Sequence, residues 1–290
     1  MSQPASSAGE LSHHSGTGEP RMRHPIFLLS VIAREMWHSR YLAWEILRRN
    51  IASQYRQSFL GVLLAFVPPL VITIWCTLIN HAKVINIPSL ELPYPAFVLM
   101  SMMLWTTFVE ALYAPITGLS DELRSLSKAS FPAEAVVLAH TGEVLFHFMI
   151  KLILIVGAIV WFSLPVTWTA TLAPLGLILL IMLGVALGMI LAPLNALYRD
   201  ISKSLGAITT FWLFLTPVLF PVPTTGIAAV VVRLNPVTPL LVTTRDLVTF
   251  GNITDPVGFI CTAVFTVCLF VVSCIFFRVA LPIVIDRTNT

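Results

Sequence analysis

Ionisable residues inside long apolar segments are the residues of this sequence most able to do chemistry. Glu110 and Lys151 lie at similar distances from the facing ends of two consecutive apolar segments, so adjacent antiparallel helices would hold them at matching depth. An unpaired charge within a bilayer costs about 2.5 to 3.5 kcal/mol on insertion scales. The sequence therefore predicts an intramembrane pair between Glu110 and Lys151. In the alternative, Lys151 extends its long side chain to the membrane surface.

A polar stripe accompanies this pair. Glu143, His147 and Lys151 recur at four-residue spacing, which places them on one face of a helix. Such a face should point into a helix bundle rather than into lipid. Proton transfer along the stripe is a further alternative.

Catalytic motifs are absent from the sequence. None of the four lysines follows a glycine, so there is no Walker loop to hold nucleotide phosphates. A zinc-protease helix, a nucleophile elbow and paired cysteines are also missing. The sequence predicts no catalytic residue, no metal site and no cofactor bound by this chain, which argues against an enzyme.

Six apolar runs must position the ionisable residues. Each is about twenty residues long, and at 1.5 Å per residue such a helix matches a hydrocarbon core of about 30 Å. With 57% hydrophobic residues, 11% charged residues and a mean hydropathy of +0.89, the composition excludes an ordinary water-soluble domain. We expect an all-α integral membrane fold, with a transmembrane domain over 59–277. The predicted spans are 59–79, 95–119, 144–162, 171–192, 205–220 and 257–277.

Basic residues cluster before the first predicted span and after the second, fourth and sixth, which places them on one face of the membrane. One face of the membrane would carry thirteen of the basic residues and the other face only Lys83, Arg233 and Arg245. Because cytoplasmic loops are enriched in arginine and lysine, both termini are expected in the cytoplasm. Residues 1–24 are predicted to be a disordered cytoplasmic tail, and 278–290 a cytoplasmic C-terminal tail. The residues of the positive face are Arg21, Arg23, Arg34, Arg40, Arg48, Arg49, Arg56, Arg124, Lys128, Arg199, Lys203, Arg278 and Arg287.

An amphipathic segment over 25–58 precedes the first span. Its apolar positions recur at three- and four-residue spacing, which is typical of a helix with one apolar face. Arginines that meet lipid phosphates and aromatic rings that enter the acyl boundary favour a helix along the cytoplasmic interface. A solvated helix packed on the protein's own loops is the alternative. The apolar face contains Trp44, Leu47, Ile51 and Tyr55, and the polar face contains Glu45, Arg48, Arg49 and Arg56.

Three stretches together carry a family resemblance. They are RRNI at 48–51 with YRQS at 55–58 and LG at 60–61, then NALYRDI at 195–201 with LTPVLFP at 215–221, and then LNPVTP at 234–239 with Arg245 downstream. Their order and spacing resemble the membrane subunits of ABC exporters of the polysaccharide and polyol-phosphate class, which includes O-antigen, capsule and teichoic acid exporters. Asn50 departs from the acid usual in that family, Pro68 from a frequent glutamine, and FPA at 131–133 lacks the common arginine.

The resemblance implies an assembly and a cargo. Two copies of the chain would form a homodimer around a path for a lipid-linked glycan in the bacterial inner membrane. Two copies of a separate nucleotide-binding subunit would bind ATP and Mg and hydrolyse the ATP. The loop 120–142 would couple to that subunit through a helix carrying Asp121, Glu122, Arg124 and Lys128, although a plain solvated loop has the same composition.

Further site residues follow from the resemblance. The segment 221–255 would fold back into the membrane from outside as re-entrant helices, with Asn235, Pro236 and Arg245 near the exit. Arg245 would pair with Asp246, contact an anionic substrate or form a surface ion pair. Tyr198, Arg199 and Asp200 would help lipid entry or ATPase coupling, with a topological anchor as the alternative.

Aromatic residues are candidates to line a glycan path, since flat rings contact sugar faces. Packing between helices and interfacial belts are the alternatives. We expect a permease subunit for a lipid-linked polysaccharide; the alternatives are export of lipid or small molecules, an enzyme acting on polyprenyl phosphates, or a scaffold subunit. The path candidates are Trp75, Trp105, Phe108, Phe211, Trp212 and Phe214.

Overall fold

Helices form all the regular structure in the described part of the chain. The computed structural model describes residues 25–57, 59–82, 92–128, 133–198 and 200–288. The helices are α1 (Pro25–Gln57), α2 (Phe59–His81), α3 (Tyr94–Lys128), α4 (Ala133–Trp161), α5 (Ala173–Leu197), α6 (Asp200–Leu215), α7 (Gly226–Leu234), α8 (Val237–Thr249) and α9 (Pro256–Thr288), with a short 3-10 helix at Trp168–Leu172.

Helices α3 and α5 form the centre of the bundle. Both are buried over most of their apolar length, whereas α4 and α9 present most of theirs outward. Helix α5 packs between α3 and α9, α4 packs on α3, and α1 lies along α4. Large apolar side chains such as Ile153, Val160 and Val264 remain exposed on the outer helices. A continuous apolar outer surface of this kind matches lipid rather than water.

Four helices among the described residues are long and apolar enough to cross a membrane. They are Tyr94–Glu122, Glu134–Trp161, Trp168–Leu197 and Pro256–Arg287. A fifth candidate is the pair α7 and α8, which is bent by 89°. The chain is therefore a multi-pass membrane protein of the predicted all-helical class.

Several helices extend beyond the predicted spans. Helix α3 continues to Lys128 and α4 begins at Ala133, so most of the expected loop 120–142 is helical. Helix α9 likewise runs through Thr288, into the expected C-terminal tail. The apolar pattern marks only the part of a helix that lipid surrounds, while backbone hydrogen bonds continue the helix into water. The opposite difference occurs in the predicted span 205–220, where α6 ends at Leu215 and a turn over 216–218 includes Pro217.

Two glycines let the central helices approach closely. A Cβ atom at Gly184 would collide with the Phe108 carbonyl oxygen, and one at Gly188 would collide with the Leu112 carbonyl oxygen. Both glycines lie on α5, and both carbonyls belong to α3. Small residues at this spacing allow backbone contact between membrane helices.

We predict that Gly188→Ala destabilises the protein by about 1–3 kcal/mol, because the added methyl group must push α5 away from α3. Thermal unfolding of the detergent-purified protein should show a lower midpoint temperature. Gly157→Ala is the matched control, since no atom lies within 4 Å of a Cβ built there. Equal midpoints for the two variants would contradict the close contact.

Candidate functional site

Helix α4 carries a row of polar side chains on the face that it turns toward α1 and α3. His140, Glu143, His147 and Lys151 follow one another at three- and four-residue spacing. The amphipathic arrangement arises because the remaining positions of α4 are almost all apolar and face lipid or the core.

Lys151 forms the deepest contact of this row. Its Nζ lies 2.7 Å from Glu110 Oε1 and 3.3 Å from Thr107 Oγ1, both on α3. The Lys151 side chain is only 2% exposed, so it does not extend to a membrane surface. The structure thus brings together the two residues that their matching depth predicts. A buried ammonium group requires such a partner, since desolvation without one costs several kcal/mol.

His147 connects this pair to the first helix. Its Nδ1 lies 3.8 Å from Glu110 Oε2, and its Nε2 lies 3.3 Å from Gln54 Oε1 on α1. Among the described residues, Glu110 Oε2 is buried and receives no hydrogen bond. A protonated His147 would therefore form an ion pair with this oxygen. A neutral ring could donate to it only in the tautomer that carries the proton on Nδ1.

Further contacts extend the row toward the end of α3. Asn50 Nδ2 on α1 donates to Glu143 Oε1 at 2.7 Å, and His140 Nδ1 lies 3.6 Å from the same oxygen. Arg49 on α1 donates to the Glu122 carboxylate on α3. We call the whole set the polar ladder. Its members are Arg49, Asn50, Gln54, Glu110, Glu122, His140, Glu143, His147 and Lys151.

The polar ladder joins three helices. Apart from the contact of His140 with Glu143, which both lie on α4, each contact pairs a residue of α4 or α1 with one on a neighbouring helix, so α1 cannot turn about its axis without breaking several of them. Asn50 matters here because an amide can donate to Glu143, which a carboxylate at that position could do only if protonated. The sequence pattern identified Glu110, Glu143, His147 and Lys151 but not Asn50, Gln54 or His140. The four-residue spacing of Asn50 and Gln54 on one helix is a signal that could have found two of them.

Helix α1 buries a face that is offset from the apolar face recognised in the sequence. Ala43 and Ile46 are buried, and Leu47 packs on Gly142 of α4, whereas Trp44 is 65% exposed. Trp44 instead shares an outward face with Trp37 and Tyr41. The apolar periodicity of the sequence cannot separate these two faces. Aromatic residues suited to a membrane interface and aliphatic residues suited to a helix contact both count as apolar.

Arginine side chains accompany the exposed rings of α1. The Arg40 guanidinium lies 4.3 Å from the Trp37 ring centroid and 5.2 Å from that of Tyr41. Arg48 is exposed on the same helix. Aromatic rings next to arginines suit a helix at a phospholipid surface. The side chains of Tyr55 and Arg56 lie outside those that the structure describes.

The residues predicted for ATPase coupling separate into two groups. Asp121 is exposed, while Glu122 is buried against Arg49, so its carboxylate is already bound within the chain. Tyr198 and Asp200 are exposed where α5 ends and α6 begins, and Asp200 Oδ1 lies 3.7 Å from Lys203 Nζ. Arg124, Lys128 and Arg199 lie outside the described side chains.

Three of the six aromatic candidates form a cluster in the interior. The Trp212 ring centroid lies 5.3 Å from that of Phe108 and 6.3 Å from that of Trp105. Phe108 and Trp105 are buried, so they pack between helices instead of lining an open path. The other three candidates, Trp75, Phe211 and Phe214, are exposed.

Asn235 holds the bend between α7 and α8. Its Oδ1 accepts hydrogen bonds from Trp212 Nε1 at 3.0 Å and from the Val237 amide at 3.1 Å, and its Nδ2 donates to Thr216 Oγ1 at 2.8 Å. Pro236 follows as the residue that caps the start of α8. Asn235 is buried, and its side-chain hydrogen bonds stabilise the break between α7 and α8.

Arg245 and Asp246 form a buried pair on α8. Arg245 Nη2 lies 3.2 Å from Asp246 Oδ1, and Nη1 donates to Ser101 Oγ at 3.1 Å. The side chains are 6% and 5% exposed, so the surface ion pair considered from the sequence is wrong. The Arg245 guanidinium also lies 4.2 Å from the Phe97 ring centroid. These contacts fasten α8 to the start of α3.

The comparison with known proteins identifies the family. The ABC-2 type transporter family matches residues 41–248, which include the C-terminal half of α1, all of α2 to α7, and α8 except its last residue. This chain belongs to the ABC-2 type transporter family. It is 28% identical over 215 residues to the O-antigen export system permease protein RfbA of Myxococcus xanthus, a match that covers 72% of this chain and 81% of that protein.

Membership in the ABC-2 family defines the chain as a transmembrane transport subunit rather than an ATPase. The match begins at residue 41, so it includes the part of α1 that contributes to the polar ladder. In this ABC-2 transporter, the ladder joins α1 to α3 and α4. The ladder thus links the position of α1 to the positions of those two helices.

We predict that Glu110→Ala and Lys151→Ala are non-additive. Removing either partner leaves a buried group without its counter-charge, so the double variant should be less destabilised than the sum of the two by about 1 kcal/mol. Unfolding in mixed micelles measures this coupling. The same cycle on Asp200 and Lys203, an exposed pair 3.7 Å apart, should show no measurable coupling. Additive losses at Glu110 and Lys151 would contradict the pair.

Proposed function

We propose that this chain is the permease subunit of an ATP-driven exporter that moves a lipid-linked polysaccharide outward across the bacterial inner membrane. The observation that carries this proposal is the 28% identity to an O-antigen export permease over 72% of the chain. The motifs at 48–61, 195–221 and 234–245 fall within the residues matched by the family. The cargo class includes O-antigen, capsule and teichoic-acid-like polymers.

The working assembly would contain two copies of this chain and two copies of a nucleotide-binding subunit. The partner would bind ATP and Mg and hydrolyse the ATP, since the sequence of this chain has no Walker loop. This chain itself would bind no cofactor. Exposed Asp121, Tyr198 and Asp200 offer polar groups for docking near the ends of α3 and α5. Movements of the partner would reach the membrane helices through α1 and the polar ladder.

The proposed topology has six crossings with both termini in the cytoplasm. Helix α2 has 23 residues and extends about 34 Å, enough to cross; α6 has 16 residues and extends about 24 Å. The turn after α6, which Asn235 holds, would complete that crossing. The 89° bend between α7 and α8 supports a re-entrant pair on the outer side.

The translocation path would run between the two copies. Trp75, Phe211 and Phe214 present exposed rings that are free to contact sugar faces there. The interior cluster of Trp105, Phe108 and Trp212 would hold α6 in position behind them.

Export of a lipid or a small apolar molecule is a second candidate function. A cavity of about 290 Å³ between α3, α4, α5 and α8 favours it, because apolar side chains such as Met100, Leu152 and Leu177 form nearly all of its wall. A lipid chain would fit such a wall.

Deletion of the gene in its own host tests the polysaccharide function. We expect surface polysaccharide to disappear while the lipid-linked polymer accumulates on the cytoplasmic side, and a plasmid copy should restore export. Normal surface polysaccharide in the deletion strain would contradict the proposal. Unchanged polysaccharide together with altered outer-leaflet lipid would favour the second candidate.

Cysteine labelling tests the topology. In a variant without Cys76, Cys261, Cys268 and Cys274, we expect a membrane-impermeant maleimide to label Thr225→Cys in intact spheroplasts. Ser15→Cys and Thr290→Cys should react only after permeabilisation. Labelling of either terminal cysteine in intact spheroplasts would contradict the six-crossing arrangement.

A further inference from the structure

A second cavity lies at the end of the bundle opposite α1. It has a volume of about 400 Å³, within the range of small-molecule sites, and it lies between the start of α3 and the end of α8. Unlike the cavity among the membrane helices, it has several polar side chains in its wall. The residues that concern a ligand are Phe97, Arg245, Asp246, Phe250, Asn252 and Thr254.

The charged part of the wall is a neutral pair. Asp246 Oδ1 accepts from Arg245 Nε at 3.3 Å and from Nη2 at 3.2 Å, and Asp246 Oδ2 accepts from Thr254 Oγ1 at 2.6 Å. Since guanidinium and carboxylate cancel in charge, the pair does not select for an anion or a cation. Both side chains line the cavity but are nearly buried, so a ligand could reach only the small exposed part of each, where a group that donates and accepts would fit.

Arg245 also marks a boundary within the bundle. It lines this cavity on one side and the apolar cavity of about 290 Å³ on the other. The second cavity therefore lies on the polar side of Arg245, at the end of the bundle where the loop after α8 is exposed.

The rest of the wall adds rings and an amide. Phe250 supplies a half-buried ring, whereas the buried Phe97 ring lies under the Arg245 guanidinium. Asn252 is exposed and makes no side-chain hydrogen bond to any part of the chain that the structure describes. An amide without an internal partner is available as both donor and acceptor for a ligand.

We propose that this cavity binds one sugar unit of the exported glycan on the outer side of the membrane. A neutral sugar unit carries hydroxyls that both donate and accept, and it has C–H faces that pack on aromatic rings. The neutral pair, the Asn252 amide and the Phe250 ring match these properties. The inference rests on the proposed export function, because it assigns part of the cargo to a site of this chain.

Binding measurements on the intact exporter test the site. The probe is the host's own polysaccharide, released from its lipid and hydrolysed to short oligosaccharides, and the protein is the full complex with its ATPase partner in nanodiscs. We expect Asn252→Ala and Phe250→Ala each to weaken binding about tenfold, as the loss of one hydrogen-bonding or packing partner predicts. Ile253→Ala is the matched control, since it lies in the same loop but does not line the cavity.

The outcomes separate the site from the export function. Weaker binding by both variants, together with unchanged binding by Ile253→Ala, supports the site. If Phe250→Ala does not fold, the Asn252→Ala variant alone is the test, because Asn252 is exposed. Affinities of both variants within twofold of wild type, or no binding by the wild type, overturn the site. If gene deletion still abolishes surface polysaccharide in those cases, the proposed export function is retained and only the sugar site is rejected. Normal surface polysaccharide after deletion would contradict the export function itself.

Discussion

The structure depends on one constraint, that polar groups within an apolar bundle must find partners on neighbouring helices. Lys151 is the clearest case, because its ammonium group is buried and lies 2.7 Å from Glu110 on the adjacent helix. Without water to solvate them, the two groups fix the relative depth of α3 and α4. The same constraint acts on Glu143, which Asn50 of α1 satisfies. Helix α1 is thereby held to α3 and α4 by hydrogen bonds as well as by apolar packing.

The two ends of the bundle use this constraint differently. At the α1 end, the polar ladder joins three helices and ends at Glu122, beside the exposed Asp121 on α3. At the other end, the buried pair Arg245 and Asp246 fastens α8 to α3 and forms part of a polar cavity. Between the ends, Gly184 and Gly188 bring α5 against the α3 backbone. Such close packing gives the ends a rigid connection, since it leaves little room for the central helices to slide.

The sequence predicted the helical membrane class and the contact between Glu110 and Lys151, because apolar runs and isolated charges within them are strong signals. It did not predict Asn50, Gln54 or His140 as ladder members, since neutral amides and histidines near a span look like ordinary interface residues. Hydropathy also could not locate the ends of α3 and α4, which continue as helix beyond the apolar segments. Nor could it separate the packed rings of Trp105 and Phe108 from the exposed rings of Phe211 and Phe214. Burial depends on which face a neighbouring helix covers, and that is a property of the tertiary structure.

ATP turnover by the purified chain in proteoliposomes tests most directly whether this ABC-2 transporter depends on a separate subunit for its energy. The measurement compares the chain alone, the ATP-binding subunit alone and the two together. We predict that the chain alone releases no more phosphate than empty liposomes. The two subunits together should hydrolyse ATP and move lipid-linked polysaccharide across the vesicle membrane, in a direction set by the orientation of the complex. Sustained ATP hydrolysis by the chain alone would contradict this division of labour.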